Sequence, residues 1–199
     1  MARIIKIYSE NNHFQHAEVL RRNRQRRQQF REFFLEGVLP VERALEHGWP
    51  INAFLYSPEK KLSDWAKGIL AQSKAETHFE LPRRLMARLS LKEETSELIA
   101  LLPMPEDRLS RIPLARDLLI VVVDRPANPG NLGTIVRSSD ALGAHGVIIT
   151  GHSVDLYDPE TISASRGSLF SLPVVRMGGP GALAPWFEKV SRAKRPRRA

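Results

Sequence analysis

The chain has 199 residues, 42% of them hydrophobic, which suits one large or two small globular domains and excludes disorder throughout. Cysteine is absent, which excludes disulfides and thiolate metal sites and fits a reducing, cytoplasmic setting. The net charge of +8 is uneven: residues 1–31 carry +6, residues 191–199 carry +5, and the body between them carries −3. Residues 1–8 hold cations but no apolar stretch of signal-peptide length. Residues 18–30 lack Gly and Pro and are rich in Arg and Gln, so a helix is predicted. Its arginines, Arg21, Arg22, Arg24, Arg26 and Arg27, are dense and forked, a pattern suited to phosphate, which makes them candidate RNA-binding residues. The plainer alternative is a solvated helix face. Strands are predicted at 32–36, 51–56, 77–81 and 97–102, and helices at 38–46, at 58–73 and after Pro82. Residues 1–102 therefore form a small α/β domain.

Pro103, Pro105 and Pro113 mark a linker over 103–117. A second α/β domain over 118–190 follows, with a basic tail at 191–199. Residues 118–123 are continuously aliphatic, which predicts a parallel strand buried on both faces, and are far short of the roughly 20 needed to span a bilayer. A helix over 131–142 and a strand over 146–150 complete one right-handed crossover. A helix at 159–165, a strand at 174–177 and a helix at 182–190 complete the set. Three parallel strands bury little area, so either a partner covers this sheet or sequence is missing.

The informative stretch is Asn128-Pro129-Gly130-Asn131-Leu132-Gly133-Thr134-Ile135-Val136-Arg137. Pro129-Gly130 turns the chain at the carboxyl edge of a parallel strand, where open α/β sheets bind ligands. Asn131 is predicted to cap the helix, with Leu132, Ile135, Val136 and Leu142 as its buried stripe. Arg137 then points away from the core, beside the space left by Gly133. On these residues alone, an ordinary capped helix with a surface arginine fits equally well.

The pattern Asn128-Pro129-x-Asn131-x-Gly133-x-x-x-Arg137 resembles the first motif, N-P-x-N-x-G-x-x-x-R, of the SpoU (TrmH-type) RNA methyltransferase family of the SPOUT superfamily. Ser163-Ala164-Ser165-Arg166-Gly167-Ser168-Leu169-Phe170-Ser171-Leu172-Pro173-Val174 is similar to its second block, R-A-S-x-G-S/A-x-F-x-x-P-V, with Ser163 where Arg or Lys is usual. Phe33-Phe34-Leu35-Glu36-Gly37 is like the F-L-V-E-G strand of the substrate-binding domain that commonly precedes it. The resemblance implies methyl transfer from S-adenosylmethionine to a ribose 2′-hydroxyl of rRNA or tRNA, by a homodimer with a trefoil-knotted domain. It implies Arg137 as the catalytic arginine, a base assisted by an RNA phosphate or a clamp on that phosphate, and Asn131 as its positioning partner. The family's G-N/S-E-x-x-G and I-P-M-x-G-x-x-x-S-L-N-V-S blocks are not found. The methyltransferase domain is therefore expected to be incomplete and C-terminally truncated, with no identifiable cofactor-binding residue and weak or no donor binding. A non-catalytic RNA-binding protein is the alternative. His13 with His16, and His145 with His152, lack further ligands at metal spacing, so no metal is implied. No membrane partner is expected.

Overall fold

The chain opens on a strand that the sequence analysis does not predict. In the computed structural model, which describes residues 2–193, β1 (Arg3–Lys6) is an edge strand of mostly exposed residues. Its alternation is too short to stand out, and pairing with a distant strand holds it in place. Of the predicted basic tail, residues 194–199 lie outside the described residues.

The arginine-rich segment is two helices, α1 (Asn12–Arg22) and α2 (Arg24–Phe30), rather than the single one expected. Asn23 makes the break: it closes α1 in an extended conformation and caps α2, its side chain accepting from the Arg26 amide. Strands β2 (Glu32–Glu36), β3 (Ala53–Tyr56), β4 (Thr77–Glu80) and β5 (Ile99–Pro103) alternate with helices α3 (Val38–Glu46), α4 (Asp64–Gln72) and α5 (Arg83–Leu89). The sheet order is β1-β4-β3-β5-β2. β1, β4 and β3 run parallel, while β5 lies antiparallel to both β3 and β2. Phe14, Ala17 and Leu20 of α1 and Leu85, Met86 and Leu89 of α5 pack against Phe34, Leu55 and Leu101 of the sheet. This first unit spans residues 1–104 by its internal contacts.

Two arginines of the cluster serve this fold. Arg27 is 1% exposed, and its Nη1 donates to the Leu20 and Arg21 carbonyls at 2.8 and 3.0 Å, closing the end of α1. The Nη1 of Arg21 donates to the Arg88, Leu89 and Ser90 carbonyls at 2.8, 3.1 and 3.1 Å, closing the end of α5. A cation at these carbonyls satisfies orphan acceptors and opposes the negative end of each helix. Arg27→Ala leaves two carbonyls without that donor and is expected to lower the unfolding free energy by about 2 kcal/mol. Exposed Arg22→Ala is expected to change it by less than about 0.5 kcal/mol. Urea titration of both variants checks this, and equal midpoints would refute it.

The Tyr56 hydroxyl, buried on β3, donates to Glu80 on β4 at 3.0 Å. Burial, then Glu80, pushes its pKa up to about 12. The folded state favours the neutral phenol, so this stability is full below pH about 10 and disappears as pH rises through about 12. Phenolate absorbance should show a late titration whose amplitude falls by one tyrosine in Tyr56→Phe; equal late amplitudes in the two proteins would contradict the assignment.

The second unit, residues 105–199, has a three-stranded parallel sheet. Its elements are β6 (Ile120–Asp124), α6 (Pro129–Ala141), β7 (Gly146–Thr150), α7 (Pro159–Ser165), α8 (Ser168–Ser171), β8 (Val174–Met177) and α9 (Ala184–Ala193). The strand order β6-β7-β8 follows from two successive crossovers. The central strand, β7, is buried throughout. The edge strand β6 is not buried on both faces as predicted: Val122 is 45% exposed, because no described element lies over it. Part of the stretch read as a linker packs inside this unit. Ile112 is buried with Ile148, Val175 and Leu183, and Asp107 accepts from the Arg176 amide and Nε at 3.0 and 2.9 Å. Among the described residues no helix is long and apolar enough to cross a membrane.

Candidate active site

The site begins where β6 ends. Asn128, not Asn131, caps α6: its side chain accepts from the Asn131 amide at 2.8 Å, and Pro129 occupies the first helical turn. Proline is preorganised there and has no N–H to lose, so the cap falls one residue before it. Asn131 is thereby displaced into the first turn of the helix, with its side chain exposed and unbonded among the described residues. The Thr134 hydroxyl is tied to the Gly130 carbonyl at 2.9 Å.

Gly133 serves packing rather than open space. A Cβ there would stand 2.4 Å from the Thr161 carbonyl oxygen, 2.6 Å from the Ala164 Cβ and 2.9 Å from the Ser165 amide nitrogen. So α7 lies directly on α6, and the second SpoU-like block is pressed against the first. α7 is itself capped by Asp158, which accepts from the Glu160 amide at 3.0 Å. The buried stripe of α6 is Leu132, Gly133, Val136 and Ser139; Ile135 is half-buried and Leu142 is 77% exposed, against the expectation for both.

Arg137 lies one turn beyond the α6–α7 contact, exposed, and makes no hydrogen bond or ion pair among the described residues. It is about 9 Å along the axis from Asn131 and about 120° around it. Long helical side chains lean toward the N-terminus, so the guanidinium is carried back toward the opening of α6. An exposed, unengaged guanidinium can bind a phosphate in a forked geometry.

The arginine cluster of the first unit divides in two. Arg22, Arg24 and Arg26 are exposed; Arg22 stands 3.7 Å from Glu18, and Arg26 donates to Gln29. Arg21 and Arg27 are buried and held by backbone carbonyls, so their expected role as RNA ligands is corrected to a structural one. Burial, followed by the neighbouring Arg22, also lowers the pKa of Arg21. Charge density in the sequence could not separate the two groups, since each helix carries members of both and packing decides which are buried. Sequence reasoning also passed over Asp124, Arg125 and Thr150 at the strand ends. Thr150 Oγ1 donates to Asp124 at 2.8 Å, as does Arg125 Nε. Those bonds, Thr150 first, hold the Asp124 carboxyl below its usual pKa.

S-adenosylmethionine would need partners for its ribose and its charged amino-acid end. A cavity of about 360 Å³ on this unit is lined by Leu119, Val121, Thr134, Ile135, Ser138, Ser139, Leu142 and Ala144. It has no charged lining residue, and the Thr134 and Ser139 hydroxyls are bonded to their own helix. These residues do not form a donor site. No cluster of potential metal ligands occurs among the described residues.

Fold and site define an α/β protein with an arginine-bearing, polar site at the carboxyl edge of a parallel sheet. Residues 11–100 match the SpoU L30e-like domain and residues 118–190 the SpoU rRNA Methylase family. The chain is 45% identical over 183 residues to the 23S rRNA (uridine(2479)-2′-O)-methyltransferase of Streptomyces viridochromogenes, covering 92% of this chain and 64% of the relative. It is 31% identical over 149 residues to the 23S rRNA (guanosine(2553)-2′-O)-methyltransferase RlmP of Bacillus subtilis, covering 74% and 55%. The structure of the SpoU methyltransferase AviRb from Streptomyces viridochromogenes in complex with AdoMet matches with a TM-score of 0.87 at 44% identity. That match covers 94% of this chain and 70% of AviRb. The chain therefore belongs to the SpoU methyltransferase family, and it spans somewhat less than two thirds of the length of these two curated relatives.

Proposed function

We propose that the chain provides the RNA-binding and hydroxyl-activating part of an S-adenosylmethionine-dependent rRNA 2′-O-methyltransferase. The observation that carries this reading is Arg137: exposed and unengaged, it stands at the SpoU arginine position of a helix anchored by Gly133. Both curated relatives named above are 23S rRNA 2′-O-methyltransferases, which favours rRNA as the substrate and catalysis over RNA binding alone. The donor supplies an electrophilic methyl group when bound. A ribose 2′-hydroxyl is a weak nucleophile that must lose its proton during attack. Arg137 presents a cationic fork that neutralises the developing alkoxide and clamps the adjacent phosphate, while the hydroxyl proton passes to solvent. Asn131, earlier on the same helix, supplies an amide to orient the ribose. Arg22, Arg24 and Arg26, exposed and cationic, give the first unit an RNA-binding surface of its own. The reading includes a homodimer, as the SpoU resemblance implies, working in the cytoplasm with the ribosomal RNA.

The test uses labelled S-adenosylmethionine and ribosomal RNA, followed by alkaline hydrolysis. A 2′-O-methyl group blocks cleavage at its own phosphodiester, so label should appear in alkali-resistant dinucleotides. The assay is run with the 199-residue chain and with this chain continued by the C-terminal segment of the Streptomyces viridochromogenes relative. Transfer by either form supports the proposal, and transfer by neither would reject it.

A further inference from the structure

Among the described residues three non-glycine positions have positive φ, and all are arginines: Arg31 at 54°, Arg125 at 48° and Arg166 at 51°. Arg31 and Arg166 close α2 and α7, where a left-handed residue is the ordinary way to end a helix. Arg125 has no such reason: it follows the last residue of β6, in the loop that leads to the Asn128 cap. A left-handed backbone on a long side chain is unfavourable and persists only where its surroundings over-determine it.

Here they do. The Arg125 amide donates to the Thr150 carbonyl at 2.9 Å, and the Val154 amide to the Pro126 carbonyl at 2.9 Å, so the loop is clamped to the end of β7. Asp124 takes the Thr150 hydroxyl on one oxygen and Arg125 Nε on the other, both at 2.8 Å. Gly151, itself at φ 69°, lies under the side chain: a Cβ there would stand 2.7 Å from Arg125 Cγ and 3.2 Å from Asp124 Oδ1. The arginine is thus held by its backbone, its stem and its Nε. Its side chain is still 72% exposed, and its two Nη groups make no hydrogen bond among the described residues. Such an arrangement fixes a guanidinium while leaving its outer fork for an oxyanion.

We propose that Arg125 is a phosphate-binding residue of this site, presenting its Nη fork from the end of β6 to a phosphodiester near the target nucleotide. The inference rests on the RNA-substrate reading above. Phosphate contacts set register without reading sequence, and one held on the strand-end loop would fix the RNA relative to the start of α6. Asp124 and Gly151 are then positioning residues, acting through Arg125.

Binding of short ribosomal-RNA fragments to the 199-residue chain, measured across a salt series, tests it. Asn tolerates the left-handed backbone, so Arg125→Asn removes the charge without forcing the loop to move. That variant should bind about tenfold more weakly at low salt, and its plot of log affinity against log salt should be shallower by about 0.7, the value for one lost phosphate contact on single-stranded RNA. Arg125→Lys keeps the charge without the fork, so the wild-type slope with weaker binding is expected; a purely structural role would not produce that split. An Asn variant with wild-type affinity and slope would overturn the proposal while leaving RNA binding intact. A wild type with no salt-dependent RNA binding would overturn the RNA-substrate reading and this inference together.

Discussion

Arg137→Ala is expected to lower methyl transfer to RNA by about a thousandfold, or roughly 4 kcal/mol of transition-state stabilisation, with no loss of fold. The side chain is exposed and unengaged among the described residues, so its removal breaks no internal contact and should leave the unfolding midpoint unchanged. The kinetic pattern separates its two proposed contributions. Loss of alkoxide stabilisation lowers kcat, because that charge exists only in the transition state; loss of a ground-state phosphate clamp raises KM. Arg137→Lys keeps the charge without the planar fork and should recover only part of the rate. The measurement belongs in whichever form of the protein transfers label. Alanine and wild-type rates within a factor of two would remove Arg137 from the mechanism.

Gly133→Ala is the change with the largest expected effect on stability. By helix propensity alone, alanine inside a helix should stabilise by about 1 kcal/mol. The packing predicts the opposite sign. The added methyl would meet a backbone carbonyl at 2.4 Å and a backbone nitrogen at 2.9 Å, and backbone cannot swing aside as a flexible side chain does. Separating α6 from α7 should cost about 3 kcal/mol, which for a unit of this size lowers the melting temperature by on the order of 15 °C. Thermal unfolding followed by circular dichroism decides between the signs, and a variant as stable as wild type would show that the helices can part cheaply.

Element types were largely legible from the sequence. The strand at 32–36, the helices at 38–46 and 159–165 and the strand at 174–177 fall where periodicity and punctuation place them. What escaped was set by tertiary partners. β1 is a strand through its register with β4, and β6 is half-exposed because no described element lies over Val122. Within the site, Asn131 and Arg137 could be singled out by motif, but two asparagines flank Pro129-Gly130, and composition does not say which one caps. The proline rule favours Asn128, and that signal was present in the sequence. No comparable signal marks Arg125, whose orientation depends on a glycine and a threonine on the neighbouring strand and loop. Nor could charge density tell Arg21 and Arg27 from Arg22, Arg24 and Arg26, because what holds the first two is a set of helix-end carbonyls that only the tertiary fold brings within reach.

The half-open β6 has a consequence for the behaviour of the protein in solution. Among the described residues, one rim of that strand carries amide and carbonyl groups with no strand beside them, and Leu119 and Val122 are 45% exposed close by. Such a rim is a template for any extended chain that approaches it, a like molecule included. Colloidal stability at high concentration therefore depends on what lies against β6.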